Sequence, residues 1–215
     1  MARRAQVTPE QYFDAALRIL GGVSGEVGGP AGLTIGRLCA ELQVTSGAFY
    51  HHFGGWDGFV EALLEHWEAE QTRRLVELSA GRPDPWERLD VLKHLATTVP
   101  HAAEAAIRAW GRTDAAVGRA QRRVDDLRRD GLRAVILGLG VPADAAERLA
   151  TMGIALLAGS QQMDPGVGTD ELLSVFDEFE RSVVAYTDQP ARAGLLSRRA
   201  GPDRRPPAAR TRPRP

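Results

Sequence analysis

Cysteine occurs once in this chain of 215 residues, at Cys39. A single thiol excludes an internal disulfide and any cysteine-rich zinc site, and a lone cysteine most often serves as a small packed hydrophobe. Long apolar runs are also missing: no stretch of about 18 uncharged apolar residues occurs, so nothing reads as a membrane-crossing helix. The opening M-A-R-R-A-Q-V-T lacks the apolar stretch of a secretory signal, and the expectation is a cytoplasmic protein with no membrane contact. Excess positive charge is absent as well. With 27 basic and 28 acidic side chains the net charge is −1, which does not advertise nucleic acid. The H-E-x-x-H, G-x-S-x-G, phosphate-loop and dinucleotide signatures are all missing. His51, His52, His66, His94 and His101 could in principle join Cys39 and scattered carboxylates in an enzyme site. Neither His66 nor His94 has a ligand at metal spacing, so the expectation is a protein without catalytic residues, metal or cofactor.

What is present is helical periodicity and a core-sized apolar fraction of 43%. Val7-Thr8-Pro9-Glu10-Gln11 is a helix start: Thr8 caps, Pro9 takes the first position, Gln11 completes a capping box, and Val7 can staple to Tyr12. This first helix should run from about Pro9 to Leu20. The glycine-rich Gly21 to Leu33 reads as a mobile loop. A long amphipathic helix follows from Trp56 to about Leu78, using Phe59, Val60, Leu63, Leu64, Trp67 and Leu75, until Arg82-Pro83-Asp84-Pro85 stops it. Further patterns place helices at about Trp86–Val99, Ala102–Trp110, Asp114–Leu137, Ala143–Met163 and Thr169–Tyr186. No strands and no internal repeats are evident. The fold class is therefore all-α, with about nine helices.

The stretch from Leu33 to Phe53, L-T-I-G-R-L-C-A-E-L-Q-V-T-S-G-A-F-Y-H-H-F, fits two short helices joined by a tight turn. Thr34 can cap the first, and Ile35, Leu38 and Leu42 fall at i, i+3, i+7 on one face. Thr45 can cap the second, in which Phe49 and Phe53 read as core. A helix-turn-helix sets such a second helix in the major groove of double-stranded DNA, its N-terminal residues at base edges.

The order T-x-x-x-L-x-x-x-L-x-V-T-x-G-A-F-Y-H-H-F, preceded by a helix with Tyr12, Phe13, Ala16 and Leu17 and followed by a new helix at Trp56, resembles the TetR family of one-component transcriptional repressors. The likeness is close over roughly the first quarter of the chain. Elsewhere it rests on length, helical content and the segment W-G-R-x-D-x-A-V. It implies a three-helix reading domain over 1–55 and a helical ligand-binding and dimerisation domain over 56–187, while the low apolar content and Pro/Arg richness of 188–215 predict a disordered tail. It further implies a homodimer on a palindromic operator, released by a small-molecule effector.

On that resemblance Ser46, Gly47 and Ala48 open the recognition helix and let its backbone approach DNA. Tyr50 corresponds to a family tyrosine placed on phosphate. His51 and His52 can donate to phosphate or guanine, and Thr34 and Thr45 can add phosphate contacts to their capping role. The chain departs from the pattern at three positions. Gln43 replaces a common turn glycine, Gly36 stands where some members have arginine, and Trp56 replaces a lysine, leaving an indole N–H as donor. Residues 1–60 sum to −1 and residues 188–215 to +6, so the reading head itself is not basic. A degenerate relative, binding a ligand or a protein without reading DNA, is the alternative.

In the body, the apolar stripes Leu149, Met152, Leu156, Leu157 and Leu172, Leu173, Val175, Phe176, Phe179, Val183 suit a four-helix bundle across a two-fold axis, with Ala155, Ala158 and Gly159 permitting close approach. Candidate effector-lining residues are Trp67, Leu92, Leu95, Trp110, Met152 and Gln162.

Overall fold

The structure, a computed structural model, describes residues 7–22, 28–79 and 82–187. The expectations for the 188–215 tail and for the 23–27 part of the glycine-rich connection lie outside the described residues. Within them are nine α-helices and no strand: α1 Pro9–Gly21, α2 Ile35–Glu41, α3 Ser46–Phe53, α4 Trp56–Ser79, α5 Pro85–Ala96, α6 His101–Trp110, α7 Ala115–Gly138, α8 Ala143–Met163 and α9 Thr169–Val184.

Local chemistry accounts for most of these boundaries. At α1 the Thr8 backbone N–H donates to Gln11 Oε1 at 2.9 Å, and Pro9 sits in the first turn. Asp84 Oδ1 accepts from the Trp86 N–H at 3.0 Å to start α5, and Asp114 Oδ1 accepts from Ala116 and Val117 at 2.8 and 3.1 Å to start α7. These side chains satisfy amide donors that a helix leaves without internal partners. Helix α5 ends at Ala96, short of the expected Val99. Pro100 disfavours a helical conformation at Val99 and has no N–H to donate back to Ala96 O, and the Thr97 and Thr98 hydroxyls donate to the carbonyls of His94 and Leu95. The end of the glycine-rich connection is not a free loop. Pro30–Gly32 form a 3-10 turn, the Gly29 N–H donates to Leu20 O at 2.9 Å, and Leu33 is buried. The gain from removing the Leu33 side chain from water, about 1.5–3 kcal/mol, explains why this part folds back.

Three apolar clusters hold the chain together. The largest joins α1, α2, α3 and α4 through Tyr12, Phe13, Leu38, Phe49, Phe59 and Trp67, and it continues into the body through Ala103 and Ile107 of α6 and Val117 and Val124 of α7. The N-terminal head, α1 to α3, therefore shares a core with α6. A second cluster packs Trp86 and Leu89 of α5 on Leu132 and Ile136 of α7, Ala146 and Leu149 of α8, and Phe179 and Val183 of α9. A third gathers Leu157, Val167, Leu172 and Phe176. These last two correct the expected stripes: Leu149, Leu157, Leu172, Phe176, Phe179 and Val183 close the chain's own core. The large apolar side chains left exposed on α8 are Met152 and, at its end, Met163.

Candidate nucleic-acid interface and body cavity

The turn between α2 and α3 is set by backbone geometry. The Val44 N–H donates to Cys39 O at 2.9 Å and the Gln43 N–H to Ala40 O at 3.2 Å, the paired bonds of a Schellman helix end. That motif requires a left-handed residue, and Gln43 supplies it at φ 54°. A non-glycine residue there carries about 1–2 kcal/mol of strain. The turn aims α3 so that Phe49 is fully buried against Tyr12 and Phe59, with ring centroids 5.9 and 5.3 Å away. At the far end α4 crosses so closely that a Cβ on Gly58 would lie 2.2 Å from Phe53 O. Only glycine fits there. The buried Phe49 and the Gly58 contact fix α3 from both ends.

With Phe49 inward, the opposite face of α3 is forced outward. Thr34, Thr45, Ser46, Gly47 and His51 are exposed, as is Tyr50 at 53%. Ala48 and Trp56 are half-buried. His52 is half-buried too, edge-on to Tyr12 at 5.7 Å, so the two histidines divide into one solvent-facing ring and one packed ring. Thr34 caps α2 as expected, its hydroxyl accepting from the Arg37 N–H at 3.2 Å. Thr45 holds the cap position of α3 with an extended backbone, but its side chain accepts no capping hydrogen bond. That corrects one expectation and leaves the hydroxyl outward. Trp56 packs on Phe59 with centroids 5.6 Å apart, lining a groove with Asp57, Glu61, Glu65, Arg119 and Arg123.

The electrostatics of this face are spare. Arg18 is tied to Glu41 at 2.9 Å, and the outward groups of α3 are hydroxyls, an imidazole and backbone N–H groups. Such a face offers directed hydrogen bonds more than net charge. Cys39 is buried, and burial pushes its thiol up, against a weaker lowering by a Ser46 hydrogen bond, the opposite of an activated thiolate.

The body holds a cavity of about 100 Å³, walled by apolar side chains including Leu89, Leu92, Leu95, Val99, Leu132, Ile154, Leu157, Phe176 and Phe179, with Gln71, Arg74, Lys93 and Arg128 as its polar members. Gly153 helps to shape it, since a Cβ there would meet Leu132 Cδ2 at 2.6 Å and Phe179 at 3.2 Å. Of the six residues expected to line an effector site, Leu92 and Leu95 are on this wall. Trp67 is instead sealed in the head cluster with its indole N–H unpartnered, and Trp110 packs on that same cluster. Met152 faces solvent, and Gln162 bonds Arg112 and the Ala105 carbonyl at 3.2 Å each. The polar wall gave no sequence signal. Lys93, the chain's single lysine, is buried between Asp177 and Glu180 at 2.5 and 2.6 Å. Arg128 pairs with Glu104 at 2.5 and 3.0 Å and donates to Gln71 Oε1 at 2.7 Å. Gln161 adds a bond to Glu104 at 2.9 Å.

The fold recurs in solved structures. A TetR transcription regulator from Haloarcula marismortui superposes with a TM-score of 0.67 at 22% identity, covering 83% of this chain and 97% of that one. The chain has the fold of TetR-family transcriptional regulators. A Rhodococcus sp. transcriptional regulator shares this TetR fold with a TM-score of 0.64, 20% identity and coverage of 84% and 96%, and Mycobacterium smegmatis AmtR with 0.55, 22%, 95% and 99%. In sequence, the HTH-type transcriptional regulator BetI of Burkholderia cenocepacia and that of Burkholderia orbicola are each 30% identical over 89 residues, 39% of this chain. That match spans 41% of those relatives' length. No family model matches the chain. Among the described residues no helix is long and apolar enough to cross a membrane.

Proposed function

We propose that this TetR-fold chain is a DNA-binding transcriptional regulator, a homodimeric repressor that leaves a palindromic double-stranded operator when a small molecule enters the body cavity. The observation that carries the reading is the split of α3. Phe49 is locked in the core while Thr45, Ser46, Gly47, Tyr50 and His51 are turned out together, as a helix seated in a major groove requires. Tyr50 and His51 are the hydrogen-bond donors for backbone and base edge. Ser46, Gly47 and Ala48 give close approach, and Thr34, Thr45, His52 and Trp56 flank them. One such helix reads too few base pairs for specificity, so two copies about 34–36 Å apart are needed. The exposed strip of α8, with Met152, Ala155 and an open Gly159, is the face we assign to the second copy. The shared core between α6 and the head supports the release step, since a shift of α6 displaces α1.

The test is fluorescence anisotropy of the full chain on duplex DNA from upstream of its own gene, across a salt series. The reading expects saturable binding well above that to scrambled duplex, with a shallow salt slope, because each neutralised phosphate contributes about −0.9 to that slope. Absence of specific binding at low salt by an intact dimer overturns it in favour of a ligand- or protein-binding module.

A further inference from the structure

The body cavity is charged with one sign. Its ionisable lining side chains are Arg74, Lys93 and Arg128, and no carboxylate lines it. Lys93 is already held by two acids, and Arg128 by Glu104 and Gln71. Arg74 differs from both. Arg74 sits one turn beyond Gln71 on the same face of α4 and reaches Glu70 only through Nε at 3.4 Å, while Arg73 engages the same carboxylate. Its two terminal nitrogens have no partner among the described residues. Gln71, itself buried, spends its carbonyl on Arg128 and leaves its amide nitrogen as a donor. Arg74, Gln71 and Arg128 thus line one chamber whose other members, Lys93 apart, are apolar, a donor set that favours a planar anion over any cation or neutral group.

We infer that the cavity takes a small monocarboxylate, its head on Arg74 and the Arg128–Gln71 pair and its apolar tail among Leu89, Leu92, Leu157 and Phe176; this rests on the cavity being the effector site. The size follows from the volume. About 100 Å³ is two-thirds of the roughly 150 Å³ of an apolar cavity that holds the six carbons of benzene, so it encloses about four carbons of the tail, and the fifth carbon of a hexanoate tail lies at the cavity's open side. The same contact supplies a switch. Arg128 is the counter-ion of Glu104 on α6, and a ligand carboxylate competes for that guanidinium. Weakening the Arg128–Glu104 pair loosens α6, which shares its core with α1, and a ligand that prefers the loosened state shifts the population toward it.

The experiment is titration calorimetry of the full chain without DNA, using hexanoate, 1-hexanol and hexylamine, which share a tail and differ in head. Hexanoate should bind at least about tenfold more tightly than hexanol, as one charge-assisted hydrogen bond requires, and hexylamine should not bind. The variant R74Q should lose about tenfold for hexanoate and nothing for hexanol. Because Arg74 is half-exposed, circular dichroism should show the fold intact. Equal binding of the three compounds, no binding of hexanoate, or unchanged hexanoate affinity in R74Q overturns the assignment. Upstream-DNA binding measured separately keeps the two claims apart. Hexanoate binding without DNA binding upholds the ligand class and removes the regulator reading, and DNA binding without hexanoate binding does the reverse.

Discussion

Replacing Arg128 by methionine isolates the buried ion pair that joins α7 to α6. Glu104 is 1% exposed and the Arg128 side chain 10%, so neither charge is well hydrated. Burial pushes the Glu104 carboxyl up, but the Arg128 charge, together with hydrogen bonds from Arg128 and Gln161, outweighs it and holds the group below its usual range. Methionine keeps much of the arginine stem's apolar volume and removes the compensating charge. Leaving a buried carboxylate alone costs about 3–5 kcal/mol. At about 2–4 °C per kcal/mol for a chain of this length, the melting temperature should fall by about 6–20 °C. The pH dependence has a definite sign. In the parent, a lowered folded-state carboxyl contributes stability that is present above the unfolded value and lost as pH falls through the folded one. In the variant the folded carboxyl rises above the unfolded value, so stability is lost as pH rises between the two. The deficit should therefore be largest near neutrality and shrink on acidification. Thermal melting at about pH 5 and about pH 7.5 reads this directly. The double variant R128M/E104Q should recover a large part of the loss, since it removes the orphaned charge. A loss under about 1 kcal/mol, typical of exposed pairs, with no pH dependence would refute the buried-pair reasoning.

Two substitutions in the head test its geometry. Gln43→Gly removes left-handed strain at φ 54° while adding unfolded-state entropy, so chemical denaturation should show a net gain of up to about 1 kcal/mol; a clear loss would mean that the Gln43 side chain makes a stabilising contact. Gly58→Ala forces α4 away from Phe53 O, 2.2 Å from the new methyl. Denaturation should show a loss of more than about 2 kcal/mol, with weakened DNA binding as α3 tilts. A variant as stable as its parent would contradict the close packing of these helices.

The head was legible because its signals are local. Thr8-Pro9-x-Gln11, Thr34, and the i, i+3, i+7 spacing of Ile35, Leu38 and Leu42 each act within a few residues, and the left-handed demand on Gln43 follows from the position it occupies. The cavity was not legible in the same way. Its wall draws on α4, α5, α7, α8 and α9, and no local pattern reports which of many apolar residues leave a gap between them. Trp67 and Trp110 are chemically reasonable lining residues that tertiary packing assigns to the head core instead. Buried charges were missed for a related reason. Arg128, Glu104, Lys93 and Glu180 look like ordinary solvated helix residues until partners 24 and 87 positions away are in place. The stripes on α8 and α9 were read correctly as apolar, yet the inside of one chain and the face between two copies have the same periodicity. Folding assigns most of those residues to the former.

The central claim is that α3 reads DNA with side chains the fold does not need. Its most direct measurement pairs binding with stability in a Tyr50→Phe/His51→Ala variant. Both parent side chains are exposed, so melting should stay within about 2 °C of the parent, as for surface substitutions. Affinity for upstream duplex should fall by at least about tenfold, from the loss of two directed hydrogen bonds. Unchanged affinity would contradict the account, and so would a loss of binding matched by an equal loss of stability.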